Sequence, residues 1–206
     1  PKSLQLISSI LWVIRSFLSI FIHLGYRLIY GNQKFRLPPI TNQILLQPAH
    51  VLAKRIRQRQ EPNFPHNFLS FFLSFTIHFQ ITSYEVVQVY IDRIKAVQPY
   101  LNVYCDERFS EALNEAQEID RILDSVSYGR SSLPEQYTEE RAPFLGVPFA
   151  IKESMEFIGF HNSTGIAARK DYICQRTATS VANMIKAGAI LVCNTNVSEG
   201  CMWFES

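Results

Sequence analysis

The sequence predicts an α/β fold with a largely buried sheet, preceded by a membrane helix, and three observations carry that prediction. Residues 4–30 form an apolar stretch of spanning length. Residues 145–151 and 189–195 are short apolar runs of the kind that make strands buried on both faces. Between those runs lies a helical segment ending at Ala187. Strand, helix and strand in that order make a right-handed parallel crossover.

The elements follow in chain order. A spanning helix needs ~20 apolar residues. Residues 4–30 supply that length, with Trp12, Tyr26 and Tyr30 near the ends and Arg15 in the middle. An arginine at mid-bilayer costs ~2.5–3.5 kcal/mol on insertion scales, which several Leu, Ile and Phe residues offset. The alternative is an interfacial helix with Arg15 at the headgroups. A signal peptide fits less well, because the apolar part is too long and no small-residue cleavage site follows. Arg27, Lys34 and Arg36 outweigh Lys2, so the positive-inside rule puts the bulk of the chain in the cytosol. Residues 1–35 are therefore expected to be a membrane anchor and its flank, and residues 36–49, with three prolines, an extended linker.

Residues 50–60 predict a short basic helix with Leu52 and Ile56 facing inward. Residues 61–80 fit neither period, and Asn67-Phe68-Leu69-Ser70-Phe71-Phe72-Leu73-Ser74-Phe75 interrupts two helical segments. Phe, Leu, Ser, Ile and His are encoded largely by pyrimidine-rich codons, and Gln80 stands where an acceptor-site CAG would be read. The segment is expected to be translated intron, against the rival of a membrane-dipping insert.

Thr82-Ser83-Tyr84-Glu85 has capping-box spacing. Val86, Val87, Tyr90, Ile91, Ile94 and Val97 then give a helix one apolar face, and Pro99 is expected to end it. Residues 106–124 predict a second amphipathic helix that buries Phe109, Leu113, Ala116, Ile119 and Leu123. Residues 125–141 read as a polar surface loop. Beyond the first apolar run, Thr177 or Thr179 is expected to cap a helix that has Lys186 in its last turn and Gly188 in the left-handed position after it.

Composition excludes several functions. Net charge is +2, and Lys54, Arg55, Arg57 and Arg59 form the one dense basic cluster, which a solvated helix face explains; no nucleic-acid partner is implied. Cys105, Cys174, Cys193 and Cys201 show neither C-x-x-C nor metal-ligand spacing, so buried thiols are expected. The histidines are scattered, which leaves no metal site, no histidine-based triad and no cofactor to predict. Asn162-Ser163-Thr164 and Asn196-Val197-Ser198 match the glycosylation sequon, but both lie beside buried strands and are read as chance matches. The chain opens on Pro1 and closes at Trp203-Phe204-Glu205-Ser206 without a stop signal of fold or composition, so it is expected to be incomplete.

One residue draws chemical attention. Lys152 follows the first apolar run directly and is expected at the tip of a core strand. Desolvation can lower a lysine from ~10.4 to ~7–8, where it abstracts protons. From this stretch alone, a lysine snorkelling to water is the simpler account.

Gly146-Val147-Pro148-Phe149-Ala150-Ile151-Lys152-Glu153 resembles the strand that carries the catalytic lysine in the amidase signature family. Asn162-Ser163-Thr164-Gly165 resembles the Ser/Thr-Gly turn that follows it there. Ala187-Gly188-Ala189-Ile190 and Thr195-Asn196-Val197-Ser198-Glu199 are similar to that family's helix-to-strand passage and the loop beyond. Cys201-Met202-Trp203-Phe204-Glu205-Ser206, with the apolar N-terminus, resembles the membrane-anchored branch that hydrolyses fatty acid amides. The resemblance runs from about residue 50 onward without 61–80, which the family lacks.

The resemblance implies that residues 50–206 are the N-terminal part of the amidase signature fold, a mixed sheet covered by helices. It implies a serine hydrolase with a Ser–cis-Ser–Lys triad, in which Lys152 is the base and Glu153 supports it. Both serines belong to segments downstream of those seen here, so this chain by itself is expected to be inactive; a dyad of Ser163 with Lys152 is disfavoured. Met202 and Trp203 are expected to line the acyl channel of a complete enzyme, with a role as packing residues the equal alternative. The implied substrate is a lipid amide, the implied partners are a membrane and a second copy of the chain in a homodimer, and no cofactor is needed. Residence is expected at a membrane, single-pass or monotopic, on internal membranes or lipid droplets. Two alternatives stand beside this. One is a non-catalytic membrane-anchored module that binds lipid or protein, either a pseudoenzyme or a splice product. The other, a soluble amidase of small polar amides, would require residues 4–30 to be removed.

Overall fold

The computed structural model describes residues 2–31, 36–58 and 81–203, with the backbone alone at 2–11, 13 and 30. The insert expected at 61–80 lies outside the described residues. The chain divides into two compact units, Pro1–Leu37 and Pro38–Ser206.

Among the described residues the first unit holds one helix, α1 (Lys2–Tyr30). Its described side chains are mostly apolar and exposed, among them Trp12, Phe17, Phe21, Leu24 and Leu28. The Ser16 hydroxyl donates to the Trp12 carbonyl at 2.9 Å, and His23 Nδ1 lies 3.1 Å from the Ser19 carbonyl, so these polar groups are satisfied within the helix. The spanning helix expected at 4–30 needs correction. Among the described residues, no helix is long and apolar enough to cross a membrane. Arg15, Ser16, Ser19, His23 and Arg27 interrupt the apolar run.

The second unit begins with residues 36–42 in irregular backbone and a single 3₁₀ turn at Gln43–Leu46, opened by the Asn42 side chain accepting the Ile44 N–H at 2.9 Å. Helix α2 (Ala49–Arg57) follows and buries Leu52, Ala53 and Ile56. Helix α3 (Ser83–Leu101) opens on the expected capping box, with Thr82 Oγ1 accepting the Glu85 N–H and the Glu85 carboxylate accepting the Thr82 N–H, both at 2.8 Å. Pro99 does not end it. Proline sits inside the last turn, and the helix stops at Asn102, which adopts φ 46° and donates its N–H to the Gln98 carbonyl at 2.9 Å. Helix α4 (Phe109–Ser127) buries Phe109, Ala112, Ala116, Ile119, Asp120 and Leu123.

Among the described residues three strands form one mixed sheet: β1 (Tyr104–Glu107), β2 (Pro148–Lys152) and β3 (Ile190–Thr195), in the order β1-β3-β2. β3 is central, parallel to β2 and antiparallel to β1. Helix α5 (Thr179–Lys186) makes the predicted crossover between the parallel pair. Its cap differs from expectation: Ala178 stands at the N-cap, and the Thr177 hydroxyl instead accepts the Ile158 N–H at 3.3 Å. Gly188 takes the left-handed position at φ +85°, where a Cβ would come within 2.8 Å of the Leu145 Cα.

Side chains alternate across a strand. Ile190 and Val192 join Leu52, Ile56, Val86, Ile91, Ala116 and Leu123 in the main core, while Leu191 packs with Ile151, Phe160 and Val181 on the other side. β3 is buried from Ile190 to Asn194, as its apolar run predicts. β2 departs from the strand buried on both faces: Ala150 and Lys152 are exposed, and only Ile151 is buried. Among the described residues β2 pairs on one side only, and nothing described covers the face that carries Ala150 and Lys152, whereas Phe149 and Ile151 pack on the other face.

Candidate active site at the end of the second strand

β2 ends at Lys152, directly opposite Thr195 of β3, which in turn faces Tyr104 of β1. Register across this row is set by an irregularity between Phe149 and Ala150, where β3 places Val192 as an extra residue between Leu191 and Cys193. The next residue keeps the pairing going: the Glu153 N–H donates to the Thr195 carbonyl at 2.8 Å. Lys152 is therefore fixed by backbone from both sides while its side chain is exposed. Among the described residues its ammonium has no hydrogen-bonded or ionic partner. The buried amine predicted from the sequence is not present, because nothing described covers the outer side of β2.

Strand alternation sends Glu153 the other way, into a buried position at 3% exposure. Its carboxylate accepts the Ser163 N–H and, at 2.8 Å, the Thr164 N–H. These belong to the predicted turn, which is closed by the Thr164 hydroxyl donating to Asn162 Oδ1 at 3.1 Å and by the Gly165 N–H donating to Ser163 Oγ at 3.1 Å. The turn docks on the loop after β3, where the Gly200 N–H donates to the Thr164 carbonyl at 2.8 Å. In that loop the buried Ser198 hydroxyl donates to the Trp203 carbonyl at 2.7 Å. Met202 and Trp203 are 83% and 65% exposed, so they are surface groups here and not core packing. Ser163 Oγ serves Gly165, not Lys152.

A second polar cluster escaped the sequence reading, which assigned Asp106 to the start of a helix. Asp106 lies instead on β1, and its N–H donates to Asn194 Oδ1 at 2.6 Å. Asn194 Nδ2 donates to Asp106 Oδ2 and to the His161 carbonyl, each at 3.3 Å. The Asp106 carboxylate also accepts the His161 N–H at 2.6 Å and faces His161 Nδ1 at 2.9 Å. An asparagine inside an otherwise apolar strand was the available signal, because a buried amide demands partners. The cluster ties β1, β3 and the segment before the turn together.

Asn162 is buried, and its Nδ2 has no partner among the described residues. In the second sequon Asn196 is half-buried and its Oδ1 accepts the Val197 N–H at 2.9 Å. All four cysteines are free, with Cys174 and Cys193 buried and Cys105 and Cys201 exposed. Burial, then the nearby Glu107 carboxylate and the Cys105 thiol, push the Cys193 thiol up to about 11. Among the described residues no group of three His, Cys, Asp or Glu side chains could hold a metal ion.

Residues 85–206 match the amidase family. Fatty-acid amide hydrolase 2-A of Danio rerio is 42% identical over 83% of this chain and 27% of its own length. Fatty-acid amide hydrolase 2 of Homo sapiens is 38% identical over 87% of this chain and 30% of its own. This chain thus spans less than a third of those relatives. A solved fatty acid amide hydrolase shares the fold, with a TM-score of 0.57 at 19% identity, over 81% of this chain and 24% of that one. The family match includes the strand of Lys152, the turn held by Glu153 and the loop of Met202 and Trp203, and the chain belongs to the amidase signature family.

Proposed function

We propose that the full-length protein carrying this sequence is a membrane-associated serine hydrolase of fatty acid amides, with Lys152 as the base of a Ser–cis-Ser–Lys triad. Acting in its neutral form through the bridging serine, the lysine takes the proton of the nucleophilic serine. The serine oxygen then bonds to the amide carbon, backbone N–H groups hold the oxyanion, and the proton passes to the nitrogen as the C–N bond breaks. Water releases the acid from the acyl-enzyme. This chain contributes the lysine; the serines are assigned to the remainder of the full-length protein. The observation that carries the reading is a lysine with no described partner at a strand end, paired with the end of the strand whose following loop exposes Met202 and Trp203.

The membrane part of the proposal rests on α1, which exposes Trp12, Phe17, Phe21, Leu24 and Leu28 together with Arg15. We read it as a helix that anchors the protein at internal membranes or lipid droplets, where an acyl chain partitions at ~0.8 kcal/mol per buried CH₂. A homodimer belongs to the same reading, and sedimentation of the full-length protein reads it out. Two measurements test the whole. Lys152→Ala in the full-length protein is expected to lower hydrolysis of a long-chain amide by roughly 10²–10⁴-fold, and undiminished turnover refutes the assignment. Flotation with liposomes is expected to carry the parent to the lipid layer and to leave behind a variant lacking residues 1–31; equal flotation refutes the anchor.

A further inference from the structure

One buried carboxylate joins the end of β2 to the turn of Ser163 and Thr164. An ionised carboxylate is costly to bury unless its acceptor sites are filled. Both Glu153 oxygens are filled, one by the Ser163 N–H and the other by the Thr164 N–H at 2.8 Å. Thr164 at φ +53° and Gly165 at φ +70° bend the backbone so that consecutive N–H groups converge on the anion, a backbone nest. Gly165 is required here. A Cβ at that position would lie 2.8 Å from the backbone of Ser198 and Glu199. The turn is thus pressed against the loop after β3 and bonded to it through Gly200.

The carboxylate faces away from the lysine it follows. No ion pair joins the two, and Lys152 has no described partner. The charge of Glu153 is felt instead at Cys105, whose thiol is pushed up first by burial, then by Glu153 and Asp106. At Cys174 burial again leads, and Glu156, Glu153 and Asp106 add to it.

We propose that Glu153 is a positioning residue. Its carboxylate clasps the turn of Ser163, Thr164 and Gly165 to the end of β2, so that the Lys152 amine and the loop of Met202 and Trp203 keep one geometry. Its charge is spent on backbone N–H groups and not on the lysine. This deepens the reading of Lys152 as the base and rests on it.

The test uses Glu153→Gln, Gly165→Ala and Lys152→Ala in the full-length protein, read by amide hydrogen exchange and by the pH dependence of long-chain amide hydrolysis. Glutamine keeps one carbonyl oxygen and turns an NH₂ toward the second N–H. In Glu153→Gln the amides of Ser163, Thr164 and Gly200 are expected to exchange about tenfold faster, the cost of one lost hydrogen bond, while β3 stays protected. kcat is expected to fall about 10–100-fold, the scale of a misplaced catalytic group, with KM little changed and the acidic limb of the profile where the parent has it. If the carboxylate were the charge partner of Lys152, that limb would move to lower pH, and this result overturns the proposal. Unchanged exchange at Ser163, Thr164 and Gly200 overturns it, as does loss of protection throughout β3. Should Glu153→Gln fail to fold, Gly165→Ala carries the test. It pushes the turn off the loop without touching the carboxylate, so the Gly200 amide is expected to open while Ser163 and Thr164 stay protected, with a comparable loss of kcat; full kcat overturns the clasp. Undiminished turnover in Lys152→Ala refutes the base itself, a failure distinct from that of the clasp because the exchange results do not depend on activity.

Discussion

Asp120 does for α3 what Glu153 does for the turn. It lies on α4 at 8% exposure and accepts the Ser83 N–H at 2.8 Å and the Tyr84 N–H at 2.9 Å. These are first-turn donors that no intrahelical carbonyl can satisfy. The Ser83 hydroxyl then donates to the Gly146 carbonyl at 3.0 Å, so the carboxylate ties α4 to α3 and the hydroxyl ties α3 to the approach to β2. Removing it leaves two N–H groups unpaired in the interior, each at about 1–3 kcal/mol. Asp120→Ala is expected to lower stability by about 2–4 kcal/mol, seen as a drop in the urea midpoint with the slope kept. Asp120→Asn retains one acceptor oxygen and should lose about half as much; an alanine variant with the parental midpoint would show that water satisfies those groups instead. Sequence periodicity alone could not single out this residue. Asp120 directly follows Ile119 on the apolar stripe and looks like the start of the solvated face, since its partners lie 36 and 37 positions away.

At the scale of elements, what repeats locally was legible and what pairs at a distance was not. The inward positions Leu52 and Ile56 of α2 and the capping box of α3 all follow from residues within one or two turns of each other. The buried run of β3 and the left-handed Gly188 were legible for the same reason. β1 was missed because Tyr104-Cys105-Asp106-Glu107 alternates half-buried with exposed and carries two acids, which look like a helix N-terminus. β2 was found but assigned too much burial. Apolar residues at 145 and 147 do enter the core, yet they precede the strand, and the strand itself has a neighbour on one side only among the described residues. The site divides the same way. The strand-end position of Lys152 was legible from the apolar run before it, whereas the Glu153 nest depends on a turn 10 and 11 residues on. The cluster of Asp106, Asn194 and His161 spans separations of 33 to 88 residues.

For the molecule as a whole, the acids in the interior make stability depend on alkaline pH. The Cys193 thiol is raised to about 11 by burial and then by Glu107 and Cys105. Burial is also the leading cause of the upward shifts of Cys174, Tyr90 and Tyr137. Each of these groups ionises at lower pH in the unfolded chain than in the folded one. The unfolded state therefore binds fewer protons as pH rises, and stability falls with pH through that window. For Cys193 the contribution is complete below about 9 and lost as pH approaches about 11, roughly 2–3 kcal/mol in all. Urea unfolding between pH 8 and 11 is expected to show a declining midpoint in the parent. Cys193→Ala removes the most strongly shifted of these acids, so its midpoint should start lower by the pH-independent cost of a small cavity and then decline less steeply. Slopes that coincide across the whole range would mean that the thiolate at Cys193 is tolerated inside the sheet, and the interior would then have to be wetter than the packing of β3 between β1 and β2 allows.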